Sequence, residues 1–179
     1  MSVTVGIDIG AISVKAAVLG KTDDRGELGR LAADGDFDWL AAPVPLLISQ
    51  YRRTLGDPLG ETEVLVAAIQ KHVQDIRWEQ IRVTGRGAPL VQKRWALERV
   101  NEFKALAAAA TFLHPKVTTL FEMGGESSKF LRLERDANSG RVRILDYETN
   151  GDCAAGTGSF IDQQATRLRY PVEEIGTIA

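Results

Sequence analysis

The stretch VGIDIGAISVKAAVL, residues 5–19, decides the fold of this chain, and TLFEMGGESSKFLRL, residues 119–133, repeats its design. Each stretch has an apolar strand, an acidic residue, a glycine turn with a serine, and a second apolar strand. Asp8 and Glu122 are the acidic residues, and a lysine follows seven residues after each of them. Two copies of this pattern in one chain predict a pair of β-hairpins that serve the same ligand.

The glycine turns of both hairpins are suited to binding an anion. Glycines at Gly10, Gly124 and Gly125 let the backbone adopt positive φ and approach a ligand closely. Successive N–H groups in such a turn form a concave anion site. A carboxylate beside a phosphate needs a cation between them, and Mg²⁺ is held by one or two carboxylates together with phosphates and waters. Asp8 and Glu122 are therefore candidate magnesium ligands, and the favoured ligand is a polyphosphate with its metal.

Either copy alone is more typical of an ordinary hairpin with an acidic turn, and only the pair favours a binding site.

Composition narrows the class of protein further. The chain has 179 residues, of which 44% are hydrophobic and 26% charged, as in ordinary globular proteins. Its net charge of −2 and scattered basic residues argue against nucleic-acid and membrane-surface partners.

No targeting or membrane-spanning segment is predicted. The most apolar stretch, residues 105–113, is too short to cross a bilayer. The chain enters a strand at once, which leaves no room for a signal peptide. A single cysteine excludes an internal disulfide, so the expected compartment is the cytoplasm.

Hydrophobic periodicity predicts the order β-β-β-α-α-β-α, followed by a second β-β-β-α. The first round comprises strands at 3–9, 14–19 and 30–37, a helix after Pro45, a helix at 61–73, a strand at 79–84 and a helix at 100–113. The second comprises strands at 116–123, 128–134 and 141–147 and a helix at 156–168 with Phe160, Ile161, Ala165 and Leu168 facing inward. The boundary is placed near Pro115, and the last ten residues read as a helix cut short. We therefore expect a fragment of a longer protein with exposed apolar surface in its second part.

The two hairpins and the strand order resemble the phosphate-binding hairpins of the actin, Hsp70 and sugar-kinase superfamily. A narrower resemblance comes from TNGDCAAGTGSFIDQQATRL, residues 149–168, which is similar to the Asn-Asp-Lys-Cys-Ala-Ala-Gly-Thr-Gly-x-Phe segment of the activators of 2-hydroxyacyl-CoA dehydratases. That family includes the ATPase subunits of benzoyl-CoA reductase. TGRGAP, residues 84–89, is similar to its Thr-Gly-Tyr-Gly-Arg turn, and VNEFKALAAA, residues 100–109, is similar to its Val-Asn-Glu-Ile-Thr-Ala-His-Ala helix.

The resemblance runs through the whole chain and implies an α/β, actin-like ATPase (ribonuclease H-like) fold, a mixed sheet with helices. Residues 1–115 would form the first lobe, and residues 116–179 would begin a truncated second lobe. The family implies a homodimer with Mg²⁺ and ATP in the cleft of each subunit and one [4Fe–4S] cluster between subunits. ATP hydrolysis there drives low-potential electron transfer to a CoA dehydratase or reductase.

The motif match implies which residues bind each cofactor. It assigns these residues to ATP: Gly10, Ala11, Ile12, Ser13 and Lys15 in the first loop, and Gly124, Gly125, Glu126 and Ser127 in the second. It assigns Cys153 to the iron–sulfur cluster. A cluster takes four thiolates, and a twofold dimer of this chain supplies two, so the cluster is not expected to be stable in this fragment.

Cys153 precedes a predicted helix, whose N-terminus favours the thiolate that a metal needs. A lone cysteine is otherwise usually a small buried apolar residue.

Glu102 joins Asp8 and Glu122 as a predicted catalytic residue, because phosphoryl transfer depends on a positioned attacking water. An acid in the first turn of a helix is equally typical of an interaction with the helix dipole.

The loops also depart from the family pattern. The first reads Ala11-Ile12-Ser13 where the family has Ser-Thr-Ser, so two hydroxyls are lost. In the second, Glu122 replaces Asp, and Glu126 adds negative charge near the expected phosphate. These departures keep a second hypothesis open, a nucleotide-binding regulatory module of a longer duplicated activator, without turnover. A sugar or acid kinase of the same superfamily is a third, against which the Cys-Ala-Ala-Gly-Thr-Gly string argues.

Overall fold

The structure, a computed structural model, describes residues 3–73, 80–136, 140–150 and 157–178. The chain divides into two compact units, Met1–Pro115 and Lys116–Ala179. Among the described residues, no helix is long and apolar enough to cross a membrane.

The first unit is a mixed sheet with helices. Its elements in chain order are β1 (Thr4–Ile9), β2 (Ser13–Leu19), α1 (Arg25–Ala33), β3 (Phe37–Trp39), β4 (Leu46–Ser49), β5 (Arg52–Arg53), α2 (Pro58–His72), β6 (Ile81–Thr84), α3 (Ala88–Trp95), β7 (Glu98–Arg99) and α4 (Glu102–Leu113). The strand order is β3-β4-β2-β1-β6-β7, with β5 also beside β2. Because β1 is antiparallel to β2 and parallel to β6, the ends of β1 and β6 lie at the same edge as the β1–β2 turn.

One face of this sheet forms the core of the first unit. Val5, Ile7 and Ile9 of β1 are at most 1% exposed, and Val14 of β2 is fully buried. Helix α2 contacts both strands. Because side chains alternate between the two faces of a strand, Asp8 lies on the opposite face, away from this core.

The second unit is a three-stranded antiparallel sheet with helices. Its elements are β8 (Thr119–Met123), β9 (Ser128–Arg135), β10 (Val142–Thr149), α5 (Gly158–Leu168) and α6 (Ile175–Ile178). The strand order is β10-β9-β8. Leu131 and Leu133 of β9 and Ala165 of α5 are buried. The expected exposure of apolar residues is found on this unit, at Phe121, Met123, Leu145, Tyr147, Phe160, Ile161 and Leu168.

The predicted α/β class is confirmed, and so are both hairpins and the helices α2, α4 and α5. Two local predictions are wrong. Residues 30–33 are the end of α1, residues 34–36 form a turn, and the strand begins only at Phe37. The helix after Pro45 is instead β4, where Leu46 and Leu47 pair with Leu19 and Val18 of β2. Pairing within the sheet overrides the helical spacing of these apolar residues.

The helix α5 begins and ends close to its predicted bounds, but its apolar face is not buried as predicted. Phe160, Ile161 and Leu168 are 48–62% exposed, whereas Ala165 is 2% exposed. The predicted inward orientation is therefore wrong for Phe160, Ile161 and Leu168 and right for Ala165, because helical spacing groups residues on a face without saying which neighbours cover it.

Candidate functional site

The first predicted phosphate loop joins β1 to β2. The N–H of Gly10 donates to the carbonyl of Ser13 at 2.9 Å, which closes the turn. Ala11, at the tip, is exposed, and Ile12 is half-buried. A Cβ on Gly10 would lie 3.1 Å from the Ser13 carbonyl oxygen, so this tight closure favours glycine.

The glycines of the two loops do not use the positive φ that glycine permits. The glycines with positive φ in the described part of the chain are Gly35, Gly56, Gly85 and Gly140. This set includes none of Gly10, Gly124 and Gly125. What restricts Gly10 is the close approach of the neighbouring backbone, not its own dihedral angles.

Asp8 and Lys15 face each other across the first hairpin. They are Cα partners in the antiparallel register, so their side chains share the face opposite the core. Both residues are exposed. The Nζ of Lys15 lies 5.4 Å from the centroid of the Tyr51 ring, within cation–π range. The hairpin thus presents a carboxylate and an ammonium group beside its loop.

A second turn lies against Asp8 from the neighbouring parallel strand. Thr84, the last residue of β6, is the Cα partner of Asp8. Gly85 follows with φ +94°, and a Cβ on it would lie 2.6 Å from Oδ1 of Asp8 and 2.3 Å from the Ile9 carbonyl oxygen. The N–H of Gly87 donates to the same carbonyl at 2.7 Å. The turn can lie this close to Asp8 because residue 85 has no side chain.

Glu102, in the first turn of α4, lies near this same edge of the sheet. The hydroxyl of Thr84 donates to the carbonyl of Val100 at 3.0 Å, which fixes the segment before α4 to the end of β6. Thr84 is in register with Asp8, and Glu102 follows Val100 by two residues. The structure therefore brings two of the three predicted catalytic carboxylate residues to one edge of the first unit.

Thr54 supports the first loop, and sequence reasoning did not find it. Its N–H donates to the carbonyl of Ile12 at 2.8 Å. Its hydroxyl lies 3.1 Å from the carbonyl oxygen of Ala11 and 3.2 Å from that of Ile12. Thr54 is 4% exposed. No sequence signal marks it, because the contact with Ala11 joins residues 43 positions apart.

The second predicted phosphate loop joins β8 to β9 and is fixed by helix α5. The N–H of Gly124 donates to the carbonyl of Ser127 at 2.8 Å, the same closure as in the first loop. The N–H of Gly158 donates to Gly124 at 3.0 Å. Ser159 donates to the Gly125 carbonyl through its N–H at 2.8 Å and its hydroxyl at 2.6 Å. The first residues of α5 therefore hold the loop, a role that the sequence did not reveal for Ser159.

Glu122 and Lys129 face each other across the second hairpin, as Asp8 and Lys15 do across the first. The Nζ of Lys129 donates to Oε2 of Glu122 at 2.9 Å and to the hydroxyl of Ser127 at 3.2 Å. The side chains of Lys129 and Glu122 are 11% and 27% exposed. Glu126 is exposed at the loop tip. In this copy the lysine pairs with its own carboxylate, whereas Lys15 contacts an aromatic ring.

The part of the chain that the structure describes contains no group of three or more His, Cys, Asp or Glu residues placed to hold a metal. Magnesium does not need one, because one or two carboxylates suffice alongside phosphates and waters. Asp8, exposed beside the first loop, fits that requirement. Glu122 could supply Oε1 as a magnesium ligand, since its Oε2 accepts a hydrogen bond from Lys129. Cys153 lies outside the described residues.

No family model matches the chain. The 2-hydroxyisocaproyl-CoA dehydratase activator of Clostridioides difficile is 29% identical over 176 residues, which cover 98% of this chain and 56% of that protein. A subunit of the benzoyl-CoA reductase of Thauera aromatica is 25% identical over 180 residues, which cover 100% of this chain and 55% of that protein.

The solved structure of the activator of the 2-hydroxyisocaproyl-CoA dehydratase from Clostridium difficile, with bound ADPNP, matches this chain with a TM-score of 0.63 at 28% identity. The match covers 98% of this chain and 56% of that one. The chain therefore spans a little more than half the length of the relatives it matches. The resemblance predicted from the sequence is confirmed: this chain is similar to activators of 2-hydroxyacyl-CoA dehydratases and to a benzoyl-CoA reductase subunit, and it has an actin-like ATPase fold.

Proposed function

We propose that this chain is part of an ATP-dependent activator of a 2-hydroxyacyl-CoA dehydratase or a benzoyl-CoA reductase-type enzyme. The observation that carries the proposal is the matched design of the two loops. Each is closed by the same backbone hydrogen bond, from Gly10 to Ser13 and from Gly124 to Ser127, and each lies beside an opposed acid–lysine pair. The names of the relatives, and ADPNP in one of them, support the same function.

In this proposal each of the two loops binds phosphate groups of Mg-ATP. The ATP-binding residues are Gly10, Ala11, Ile12, Ser13 and Lys15 with Gly124, Gly125, Glu126 and Ser127. Asp8 is the magnesium ligand of the first hairpin, and Glu122 is that of the second. Lys15 supplies a positive charge on the face that Asp8 shares, where a phosphate and its metal would both be accommodated.

Hydrolysis of ATP needs a positioned water and neutralised phosphate charge more than covalent chemistry. Bound Mg²⁺ supplies much of that charge neutralisation. Glu102 accepts a hydrogen bond from the attacking water in this proposal, since its segment is fixed through Thr84 to the edge that carries Asp8. Lys15 keeps its ammonium group at the phosphates through the reaction.

The proposal extends to a homodimer in the cytoplasm, a CoA dehydratase or reductase as partner, and coupling to low-potential electron transfer. Cys153 is the proposed cluster ligand. A [4Fe–4S] cluster takes four thiolates, and the chain has one cysteine, so a twofold dimer provides two. The residues of this chain do not complete such a site, and no electron-transfer step is assigned to them.

A second function, a nucleotide-binding regulatory module without turnover, is favoured by one observation. Nζ of Lys129 donates hydrogen bonds to Oε2 of Glu122 and to the hydroxyl of Ser127, so two of the proposed Mg-ATP contacts of the second hairpin are already engaged by this lysine. A site of this kind would bind nucleotide while lacking the charge arrangement for hydrolysis.

One experiment separates the two functions. The full-length protein is purified without oxygen, and iron, sulfide, ADPNP binding and ATP hydrolysis are measured together. Iron and sulfide with hydrolysis support the activator, and ADPNP binding with neither supports the regulatory module. Hydrolysis that requires a small hydroxylated acceptor would identify a kinase, and absence of ADPNP binding would contradict both proposals.

A further inference from the structure

We infer that Arg53 is a further contact for the triphosphate at the first loop and replaces the hydroxyls that Ala11 and Ile12 lack. The inference rests on the proposed nucleotide site and adds to it a residue outside both hairpins. Four observations about the segment 51–54 carry it: its register with β2, the opposite direction of Arg52, the contact of Tyr51, and the hydrogen bonds of the following threonine.

The register places Arg53 beside the loop. β5 pairs with β2 so that Arg53 is the Cα partner of Ser13 and Arg52 is the partner of Val14. Directly opposed residues of an antiparallel pair share one face of the sheet. Ser13 and Lys15 are two residues apart on β2 and also share a face. Arg53 therefore lies on the face that presents Lys15.

The two residues before Arg53 agree with this assignment. Arg52 reaches the other face, where its Nε lies 3.0 Å from Oε2 of Glu61 in helix α2. Tyr51 is two residues before Arg53, and its ring lies 5.4 Å from Nζ of Lys15. Arg52 and Tyr51 thus show the alternation expected of an extended segment, and Arg53 shares the direction of Tyr51.

The residue after Arg53 fixes the loop to this segment. Thr54 donates to the carbonyls of both Ala11 and Ile12. In a planar trans peptide the C=O and N–H point in opposite directions. The N–H of Ile12 therefore points away from Thr54. Because Thr54 adjoins Arg53, the loop and the guanidinium-bearing residue are held in one fixed arrangement.

The chemistry of the loop calls for such a group. Its tip offers one hydroxyl, that of Ser13, because Ala11 and Ile12 have none. A guanidinium donates two parallel hydrogen bonds to phosphate oxygens and keeps its charge at any physiological pH. Opposed Cα atoms are about 4.5–5.5 Å apart in an antiparallel pair, so the long side chain of Arg53 can reach a phosphate bound at Ser13.

The test measures affinity rather than turnover. Binding of Mg-ADPNP and of magnesium tripolyphosphate to the full chain is followed by isothermal titration calorimetry for Arg53→Gln, Arg53→Lys and the control Arg52→Gln. The control removes the same charge one residue away and on the opposite face. We expect Arg53→Gln to weaken both ligands roughly tenfold and to reduce the salt dependence of binding. The affinity of Arg53→Lys is expected to lie between that of the unaltered chain and that of Arg53→Gln. Arg52→Gln is expected to lower thermal stability without changing affinity.

The possible outcomes separate the inference from the function on which it rests. If the unaltered chain binds Mg-ADPNP and Arg53→Gln binds it equally well, or Arg52→Gln weakens it as much, the role of Arg53 is refuted and the nucleotide site stands. If the unaltered chain binds neither probe, both fail. If Arg53→Gln does not fold, Arg53→Lys tests the inference instead. An affinity of Arg53→Lys for Mg-ADPNP equal to that of the unaltered chain would refute a bidentate contact from Arg53.

Discussion

Gly85 approaches Asp8 so closely that a Cβ on residue 85 would lie 2.6 Å from Oδ1 of Asp8. The same Cβ would lie 2.3 Å from the carbonyl oxygen of Ile9. The turn after β6 thus determines where the carboxylate at the end of β1 can lie. A glycine that the sequence marks only as a turn residue is in contact with the proposed magnesium ligand.

Gly85→Ala is expected to destabilise the protein more than the control Gly56→Ala. Both glycines have φ near +90°, where alanine costs about 1–2 kcal/mol. Only residue 85 also meets backbone and carboxylate atoms, whereas nothing lies within 4 Å of a Cβ on residue 56. Urea unfolding should show an extra loss of about 1–3 kcal/mol for Gly85→Ala. Equal losses in the two variants would mean that the contact with Asp8 is easily relieved.

Asp8→Asn is expected to weaken Mg-ADPNP binding by roughly tenfold, because a neutral amide holds magnesium less well than a carboxylate. Binding of ADPNP in EDTA should not weaken, since the repulsion between Asp8 and phosphate is removed as well. Titration calorimetry with and without magnesium measures both effects. Asp23→Asn is the control, as it removes the same charge from an exposed residue beyond the opposite end of β2. An unchanged affinity for Mg-ADPNP in Asp8→Asn would contradict the proposed metal site.

Thr54→Val is expected to lower both stability and nucleotide affinity, because the carbonyls of Ala11 and Ile12 lose their hydroxyl donor. The expected loss of stability is about 1–2 kcal/mol. Thr62→Val is the matched control, since Thr62 is fully buried and its hydroxyl donates to Pro58 within α2. The control should lose stability without losing affinity, and Thr54→Ser should restore the affinity. A loss of affinity shared by both valine variants would argue against a specific role for Thr54.

Asp34 is expected to make part of the stability depend on acid pH. Its Oδ2 lies 2.7 Å from Nζ of Lys71 and 2.6 Å from Nε2 of His72, and hydrogen bonds first from Lys71 and then from His72 lower the pKa of the Asp34 carboxyl. A carboxyl with a lower pKa in the folded state stabilises the protein above its unfolded pKa, near 3.8. That contribution disappears as the pH falls through the folded pKa.

The measurement for Asp34 is the free energy of unfolding in urea between about pH 2 and pH 7. This interval extends to both sides of about pH 4, where an ordinary aspartate carboxyl titrates. Asp34→Asn should be less stable than the unaltered protein at neutral pH, and the difference should shrink as the pH falls below about 4. Two parallel stability curves would show that the contacts between the ends of α1 and α2 carry no linked proton.

Much of the fold could be predicted because its signals are local. The alternation of Val5, Ile7 and Ile9 identifies a half-buried strand, and the alanine-rich run before Pro115 identifies α4. The strand β4 was missed because Leu46 and Leu47 also fit a helical spacing. What places them in the sheet is pairing with β2, and a local pattern contains no record of that partner.

The candidate site shows the same division. The acid, glycine, serine and lysine residues of each hairpin are adjacent in sequence and could be assigned from it. Thr54, Gly85 and Ser159 act on those residues through contacts between distant segments. The α5 residue Ser159 reaches Gly125 across 34 positions. Such supports follow from topology, so they became visible only with the strand order and register.

The hydrogen bond between Thr54 and Ala11 also constrains when the first loop can take shape during folding. The β1–β2 hairpin can close early, because its strands are neighbours in the chain. The loop at its tip must wait until residues 52–54 have been synthesised and docked on β2, and closing so long a segment carries an entropic cost. The proposed capacity of the loop to bind phosphate therefore depends on residues 52–54 as well, and a nascent chain with an intact first hairpin would still lack it.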